Sequence, residues 1–532
     1  MSIGAGITPQ RAKVLVVGGA GYVGSATCAW LIDRGHEVWI LDDLSTGHFE
    51  HVRALLPKGL LETRFIHSRA GNHKMVPALL ARERFDCLMH FAARTLVSES
   101  FAKPEEYYEN NVIQTGELLN AMLAAGTRSF IFSSTCSIFG NPGSTAIHET
   151  LPKQPDSPYG ATKLEVERLM ETLSKEGQGD RGLNAISLRY FNAAGAEPGV
   201  RVGEWHSPES HLIPSILQAI MAGRPIEIFG TDYSTPDGTC IRDYVDVSDL
   251  AAAHEAALIR LLGVPHRRPF EAFNLGSGTG FSVREVIDTC FKVTGSKVDM
   301  IESQRRPGDP PRLVADSGLA QRALGFKAER TLEEMVRTAW QWECKRTEVI
   351  GTMKKAVFLD RDGTLNEDPG YIGNPDQLKL LPGVADALSR LQKAGYLLVV
   401  VSNQSGVGRG MFTMETLQHV HERLDQLLAA SSVKIDHYEL CIHRPEDECD
   451  CRKPKPKLIL DAARKLRIDL TRSFMVGDKL SDLGTGRSAG CQGVALVRTG
   501  EGKTTESKMN GTQADYVGNS LEDVAAWILN RR

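Results

Sequence analysis

The chain has 532 residues, 42% hydrophobic and 24% charged, with a formal net charge of -4. That composition excludes a fibrous or disordered chain, and its mixed-sign, faintly acidic balance gives no electrostatic basis for binding nucleic acid or an anionic membrane. No stretch reaches the roughly 18–20 uncharged apolar residues of a spanning helix, and the start "MSIGAGITPQRAK" has no apolar leader segment, so no membrane association is expected. Seven of the ten cysteines (Cys28, Cys87, Cys136, Cys240, Cys290, Cys344 and Cys491) stand singly, as reduced thiols do, and the expectation is a cytoplasmic protein of two or three domains.

From residue 13, the runs "KVLVVGG", "EVWILDD", "FDCLMHFAA", "SFIFSST" and "NAISLRYFN" alternate with amphipathic segments of about 20–40 residues. That alternation predicts a parallel sheet with crossover helices. In the first of these units a strand leads into Gly18, Gly21 and Gly24, then a helix, then a second strand ending in Asp42. Glycines at that spacing let the backbone approach a pyrophosphate at a helix N-terminus, and an acid about 20 residues on can accept hydrogen bonds from ribose hydroxyls. Further along, "SPYGATKLEVERL" sets Tyr159 and Lys163 four residues apart on one helical face. A Lys ammonium beside the phenol is expected to pull its pKa down from the ordinary value near ~10, toward a base that works at neutral pH.

Residues 12–345 resemble the extended short-chain dehydrogenase/reductases, and among them the UDP-glucose 4-epimerases. The motifs "GGAGYVGS", "FIFSST", "SPYGATK", "LRYFNAAGAEP", "IEIFGTDYSTPDGTCIRDYVDVSDLAAAH", "FNLGSG" and "RRPGDPP" recur in family order. The resemblance implies an NAD-binding Rossmann fold with a small substrate domain, the cofactor held by Gly18, Gly21, Tyr22, Val23, Gly24, Asp42, Tyr159 and Lys163. It implies that Tyr159 takes the proton of a sugar 4-hydroxyl while NAD takes the C4 hydride, assisted by Lys163 and by Thr135 in the family's usual Ser position. The keto sugar then turns over and the hydride returns to its other face. Uridine diphosphate contacts fall on Asn192, His211, Phe229, Arg242, Arg306 and Asp309, and guanidinium forks suit diphosphate oxygens. The resemblance also implies a homodimer through a helical face of this unit.

The sequence departs from the family in several places. "FIHSRAGN" puts Ser68 and Arg69 where an adenine-side acid is usual; Arg69 would suit a 2′-phosphate, whereas Asp42 would repel one. Thr95 replaces a frequent Lys, and Leu313 stands where strict hexose epimerases carry a Tyr gate, which leaves N-acetylated sugars open. A nucleotide-sugar dehydratase or reductase is the alternative for this unit, but Cys136 and Ser137 follow Thr135 where dehydratases usually have an Asp–Glu pair.

The helix-like "TLEEMVRTAWQWE" ends the first unit, residues 346–353 form a short polar linker, and a second α/β unit occupies 354–532. "KAVFLDRDGTLNE" ends a strand at Asp360 and Asp362, "YLLVVVSNQSGVGRG" ends one at Ser402, and "SFMVGDKLSD" ends one at Asp478. Strand ends of a parallel sheet gather on one edge, where ligands bind. Paired carboxylates there suit a nucleophile, an acid/base and Mg²⁺. Cys441, His443, Cys449 and Cys451, on a loop at 441–451 that turns at Pro445, form a full tetrahedral set for a structural Zn²⁺ that would staple Arg452 and Lys453 into the site.

These motifs resemble the haloacid-dehalogenase (HAD) phosphatase superfamily. In that likeness Asp360 attacks phosphorus, Asp362 is the acid/base, Ser402 and Lys453 bind the transferring phosphoryl, and Asn403 and Arg452 contact substrate. Mg²⁺ would rest on Asp360, Asp478 and Asp362, the last through its backbone carbonyl. "CxHxPxxxCxCRKP" is similar to heptose 1,7-bisphosphate 7-phosphatases and to histidinol-phosphate phosphatases, and "DRDGTLNEDPGYIGNPDQLKLLPG" and "SNQSGVGRGMFT" are more like the heptose enzyme. The segment between Asp362 and Ser402 is too short for a large cap, which leaves substrate selection to the zinc loop. The expectation is a bifunctional enzyme acting on a UDP-sugar and a sugar phosphate. The rival is that one unit is an inactive binding module.

Overall fold

The computed structural model describes residues 11–143, 146–176, 182–263, 270–306, 309–509 and 513–531. The chain divides into two units between Thr347 and Glu348. Among the described residues no helix is long and apolar enough to cross a membrane.

In the first unit the strand Lys13–Val17 is apolar on both faces because helices cover both. Val14 and Val16 pack with Cys28, Leu31, Val247 and Leu258, while Leu15 and Val17 pack on the other side with Leu79, Leu118 and Met122. Near-continuous Val/Leu runs are the mark of such doubly covered parallel strands, and each buried aliphatic side chain contributes about 1.5–3 kcal/mol. The sheet has seven parallel strands in the order Glu271–Leu275, Asn184–Tyr190, Ser129–Thr135, Cys87–His90, Lys13–Val17, Glu37–Asp42 and Phe65–His67. Strand order reverses between Lys13–Val17 and Cys87–His90, which opens a crevice at their carboxyl ends. A smaller lobe carries the strand Ile241–Asp246, paired with Asn192–Ala194, Arg312–Leu313 and Gly280–Ser282, and the pair Ile226–Phe229 with Met300–Ser303.

The second unit is a six-stranded parallel sheet in the order His437–Cys441, Tyr396–Asn403, Lys355–Leu359, Phe474–Gly477, Gly493–Val497 and Tyr516–Gly518. Val357 and Leu359 face Leu388, Leu424 and Val524, and Phe358 faces Ile459 and Leu483. Order reverses at Lys355–Leu359, so the crevice lies just past it, at Asp360.

The expected linker at 346–353 is not a loop: the helix Leu332–Thr352 runs through almost all of it. Lys, Arg and Glu are good helix formers, and no Gly or Pro interrupts before Gly351. A charged helix surface and a charged linker share one composition, which is why the sequence alone suggests the wrong one.

The helix Pro158–Glu176 carries Tyr159, Lys163 and Glu167 on one face. Glu167 is buried and fully engaged: Arg189 donates to it through Nε (2.9 Å) and Nη2 (2.6 Å), and Ser134 and Ser187 donate hydroxyls at 2.7 and 2.6 Å. Burial alone would raise its pKa, but the Arg189 fork and the two serines hold it below the ordinary carboxylate value. Glu167→Gln leaves Arg189 buried without its counter-charge and is expected to cost about 3–5 kcal/mol, read as an earlier urea transition of the first unit with that of the second unchanged. Because the folded-state pKa is lowered, the pair's contribution is present above the unfolded value near ~4.3 and lost as pH falls through the folded one. The variant should therefore show a shallower loss of stability in acid.

Candidate functional site

At the first crevice the glycine-rich turn has no room for side chains. Gly18 sits at φ +83 and a Cβ there would stand 2.4 Å from the Ala92 nitrogen; a Cβ on Gly24 would stand 2.2 Å from the Gly18 oxygen. Gly21 begins the helix Tyr22–Asp33 with no side-chain cap, so its first-turn N–H groups remain for an anion. The Tyr22 hydroxyl donates to the Gly195 carbonyl at 2.6 Å, away from the turn. Asp42 accepts from the backbone N–H groups of Ala20 (2.9 Å) and Leu44 (2.8 Å), and burial raises it to about 6. Each of its oxygens keeps a further lone pair, so turn, helix end and acid fit a dinucleotide. Of the two residues that replace the usual adenine-side acid, Ser68 is buried and Arg69 exposed.

Thr135 ends its strand and accepts from the Ser137 N–H at 3.1 Å, capping the short turn Cys136–Phe139. It also lies close enough to the Tyr159 phenol to act on that group's pKa. The expected lowering of Tyr159 by Lys163 is corrected here. Burial pushes the phenol up, with Thr135 working against that shift, and the Lys163 ammonium is turned to the sheet, donating to the Ser133 carbonyl at 2.8 Å. Burial brings Lys163 down to about 7, opposed by Glu167. Four-residue spacing aligns the two side chains on a face; it does not make their tips meet.

In the smaller lobe Asn192 donates to the Asp243 carbonyl at 2.9 Å. The Arg306 guanidinium lies 4.1 Å above the Phe229 ring, and Arg242 pairs with Asp309. Leu313 lies opposite Arg242 in the strand pairing. His211 is drawn elsewhere: its Nδ1 is 2.6 Å from Glu204 Oε1, within a group that also holds His206 and Glu209.

In the second unit Lys453 is buried with its Nζ 2.7 Å from Asp360 Oδ1 and 2.6 Å from Asp482 Oδ1, and it donates to the Val401 carbonyl at 2.9 Å. Burial would lower this lysine, but Asp360 and Asp482 raise it above the ordinary value. Asn403 fixes its main chain, accepting from the Lys453 N–H at 3.1 Å. Asp360, Asp478 and Asp482 converge; burial and then Asp360 raise Asp478 to about 7, and burial raises Asp482 to about 6. The Asp478 Oδ1 atom is buried without a hydrogen-bond partner. Three carboxylates, one of them, Asp478, with an unpartnered oxygen, outnumber the ammonium groups of Lys453 and Lys479 beside them and form a donor set that suits a hard divalent cation.

Asp362 does not add its carboxylate to that group. Arg361 donates to it at 2.9 and 2.8 Å, Asn366 at 3.0 Å and Gln404 at 2.9 Å. Burial would raise it, and these partners, Arg361 first, hold it below the ordinary range. Ser402 is buried and accepts from Gln404 at 3.0 Å. Sequence reasoning passed over Asp482, though it stands in the quoted "GDKLSD", four residues after Asp478; it also passed over Arg361 and Gln404.

The Cys/His loop closes on itself. Cys441 Sγ lies 3.8 Å from His443 Nδ1 and 3.5 Å from Cys449 Sγ, and Cys451 Sγ lies 3.3 Å from His443 Nδ1 and 3.6 Å from Cys449 Sγ. Ligands about 2.0–2.3 Å from a tetrahedral zinc would be spaced about 3.3–3.8 Å apart, so the four atoms fit that ion. The short turn Pro445–Asp447 bridges the six-residue step, and Arg452 donates to the His443 carbonyl at 3.3 Å.

A family model described as the NAD dependent epimerase/dehydratase family matches residues 14–276, and one described as HAD-hydrolase-like matches residues 450–524. A UDP-glucose 4-epimerase of Halalkalibacterium halodurans is 43% identical over 346 residues, 64% of this chain and 98% of that relative. One of Streptomyces lividans is 44% identical over 332 residues, 62% of this chain and 95% of the relative. Among solved structures, the UDP-glucose 4-epimerase of Stenotrophomonas maltophila with bound NAD and formylated UDP-arabinopyranose aligns with a TM-score of 0.60 at 36% identity, covering 64% of this chain and 99% of that one. That of Brucella ovis in complex with NAD aligns at 0.58 and 39%, covering 62% and 98%. With nearly the whole length of these relatives matched by the first unit, the chain belongs to the NAD dependent epimerase/dehydratase family, with a HAD-like domain following in the second.

Proposed function

We propose that the protein is a bifunctional enzyme that interconverts UDP-glucose and UDP-galactose, or a related UDP-sugar pair, and hydrolyses a sugar phosphate through an aspartyl-phosphate. The observation that carries this reading is that each parallel sheet has its own set of candidate reactive side chains at the carboxyl end of a strand: Thr135 with Tyr159 and Lys163 in one, and Asp360, Lys453 and the converging aspartates in the other. The first unit's near-full-length likeness to UDP-glucose 4-epimerases supports the sugar assignment.

NAD, when bound, supplies the acceptor for the C4 hydride and gives it back. Tyr159 takes the 4-hydroxyl proton and returns it to the carbonyl oxygen after the sugar has turned, while the Thr135 hydroxyl steadies that oxygen. Lys163, with a pKa brought to about 7, positions the ribose side and adjusts its charge at little cost. Arg242, Arg306, Phe229, Asn192 and Asp309 hold the uridine diphosphate, so the hexose can rotate without leaving.

In the second unit a carboxylate oxygen of Asp360 attacks phosphorus as the alcohol departs with a proton from Asp362. Asp362 then takes a proton from the water that attacks the aspartyl-phosphate, releasing phosphate and restoring Asp360. Asp362 rests ionised; an arriving phosphate dianion raises its pKa and favours uptake of the proton it donates. Asp360, Asp478 and Asp482, with the Asp362 backbone carbonyl, would hold a Mg²⁺ that would supply positive charge to the phosphoryl group, and Lys453 and Ser402 bind the phosphoryl oxygens. The favoured substrate is the 7-phosphate of D-glycero-D-manno-heptose 1,7-bisphosphate, on the strength of "DRDGTLNEDPGYIGNPDQLKLLPG". Zinc at Cys441, His443, Cys449 and Cys451 is a scaffold for Lys453. Joining the two units would coordinate the supply of sugars for one surface polysaccharide.

Tyr159→Phe is expected to slow epimerisation at least ~100-fold and leave phosphate release intact, and Asp360→Asn to do the reverse; an activity that survives its own substitution removes that role. Cys449→Ser should cost one zinc equivalent and most of the phosphate release, with epimerisation retained. Offered heptose bisphosphate and histidinol phosphate side by side with Mg²⁺, the intact protein should prefer the heptose; preference for histidinol phosphate would leave the phosphatase chemistry standing and overturn the substrate.

A further inference from the structure

The segment Glu204-Trp205-His206-Ser207-Pro208-Glu209-Ser210-His211 turns four ligand-type side chains toward one point. Glu204 Oε1 lies 2.6 Å from His211 Nδ1 and 3.4 Å from His206 Nδ1, and Glu209 Oε1 lies 3.5 and 3.7 Å from the same two nitrogens. These are the spacings of atoms around a shared centre, close to those of the Cys/His loop. They are not the spacings of four settled hydrogen bonds. Glu204 is only 6% exposed; its Oε1 meets both rings as an ion-pair contact without an aligned hydrogen bond, while Glu209 Oε1 accepts from the backbone N–H groups of Ser210 and His211 at 2.8 and 2.9 Å and its buried Oε2 has no hydrogen-bond partner. Two carboxylates crowded onto two imidazoles need positive charge among them, and one metal ion held by all four side chains would supply it.

We infer that Glu204, His206, Glu209 and His211 form a second transition-metal site, in the epimerase unit, for a divalent ion of the zinc class. Two carboxylates and two neutral imidazoles carry two negative charges, which one such ion balances, and a two-nitrogen, two-oxygen set suits zinc over the hard, all-oxygen cations. The site has a mechanical tie to the cofactor end. Trp205, between the first two ligands, stacks on His48 with ring centroids 4.0 Å apart, and His48 Nε2 contacts the Trp205 carbonyl at 3.1 Å. The His48 N–H donates to the Ala20 carbonyl at 3.0 Å, and His51 Nδ1 meets the same carbonyl at 2.9 Å. Ala20 belongs to the Gly18–Gly24 turn, and Trp342 Nε1 anchors the loop from behind through the Glu204 carbonyl at 2.7 Å. The ion would brace the glycine-rich turn without touching substrate.

The test measures metal content by mass spectrometry on the full chain, loaded with zinc and exchanged into metal-free buffer containing excess Mg²⁺, which keeps the aspartate cluster of the second unit occupied. The intact chain should retain about two zinc equivalents. The Cys441→Ser/Cys449→Ser variant should retain about one, and adding His206→Ala should remove it. Loss of all zinc in the cysteine variant, or an equivalent that persists after His206→Ala, overturns the proposal and leaves the four residues as an ion-pair knot. Should the triple variant fail to fold, Co²⁺ added to the cysteine variant decides the matter. Visible ligand-field bands without a near-ultraviolet thiolate charge-transfer band support the site, and the absence of such bands overturns it.

Discussion

The placement of Tyr159 in the first unit rests on a buried ion pair, Glu167 with Arg189. Arg189 reaches from one strand and Ser134 from the next to grip Glu167, eight residues beyond Tyr159 on the same helix face. Two charges so buried stabilise little in net terms, because desolvation cancels most of their attraction. What they impose is register. Only one rotation of the helix satisfies the fork and both serine hydroxyls, and that rotation sets the Lys163 ammonium under the Ser133 carbonyl and the phenol of Tyr159 beside Thr135.

The second unit solves the same positioning problem with a lysine in place of an acid. Lys453 arrives on a loop, the least constrained kind of element, and is made rigid from three directions: Asn403 at its main chain, Val401 at its ammonium, and Asp360 with Asp482 as counter-charges. The Cys/His knot shortens the free length of chain leading into it. In both units one buried charge network orders the reactive side chains, and the apolar cores on either side of each sheet provide the stiffness that keeps the network aligned.

What was legible in the sequence is what is local. The Gly18–Gly24 turn, the Asp360-x-Asp362 strand tip and the Cys441–Cys451 knot each lie within a dozen residues, where geometry follows from spacing. The parallel sheets were legible because strands covered on both faces must be apolar throughout. Long-range pairings were not: Glu167 reads as one more surface acid until Arg189 is seen 22 positions on, and the direction of the Tyr159 shift follows from burial, which no spacing reports. Asp482 was not legible because it lies in the first turn of the helix Leu480–Ser488, which only the fold brings back onto the strand end beside Asp360 and Asp478. The helical character of residues 346–353 was not legible, because a charged helix and a charged linker look alike in composition.

The central position of the strand Lys355–Leu359 has a consequence for the chain as it is made. One of its neighbours, Tyr396–Asn403, follows within about forty residues, but the other, Phe474–Gly477, is synthesised more than a hundred residues later. At ~5–20 residues per second the second edge of this apolar strand waits on the order of ten seconds for its partner. Throughout that interval it presents open N–H and C=O groups, and Asp360 at its tip stands free of the lysine that will later hold it. The nascent protein therefore passes through a stage in which the strand leading to Asp360 has one edge without its partner.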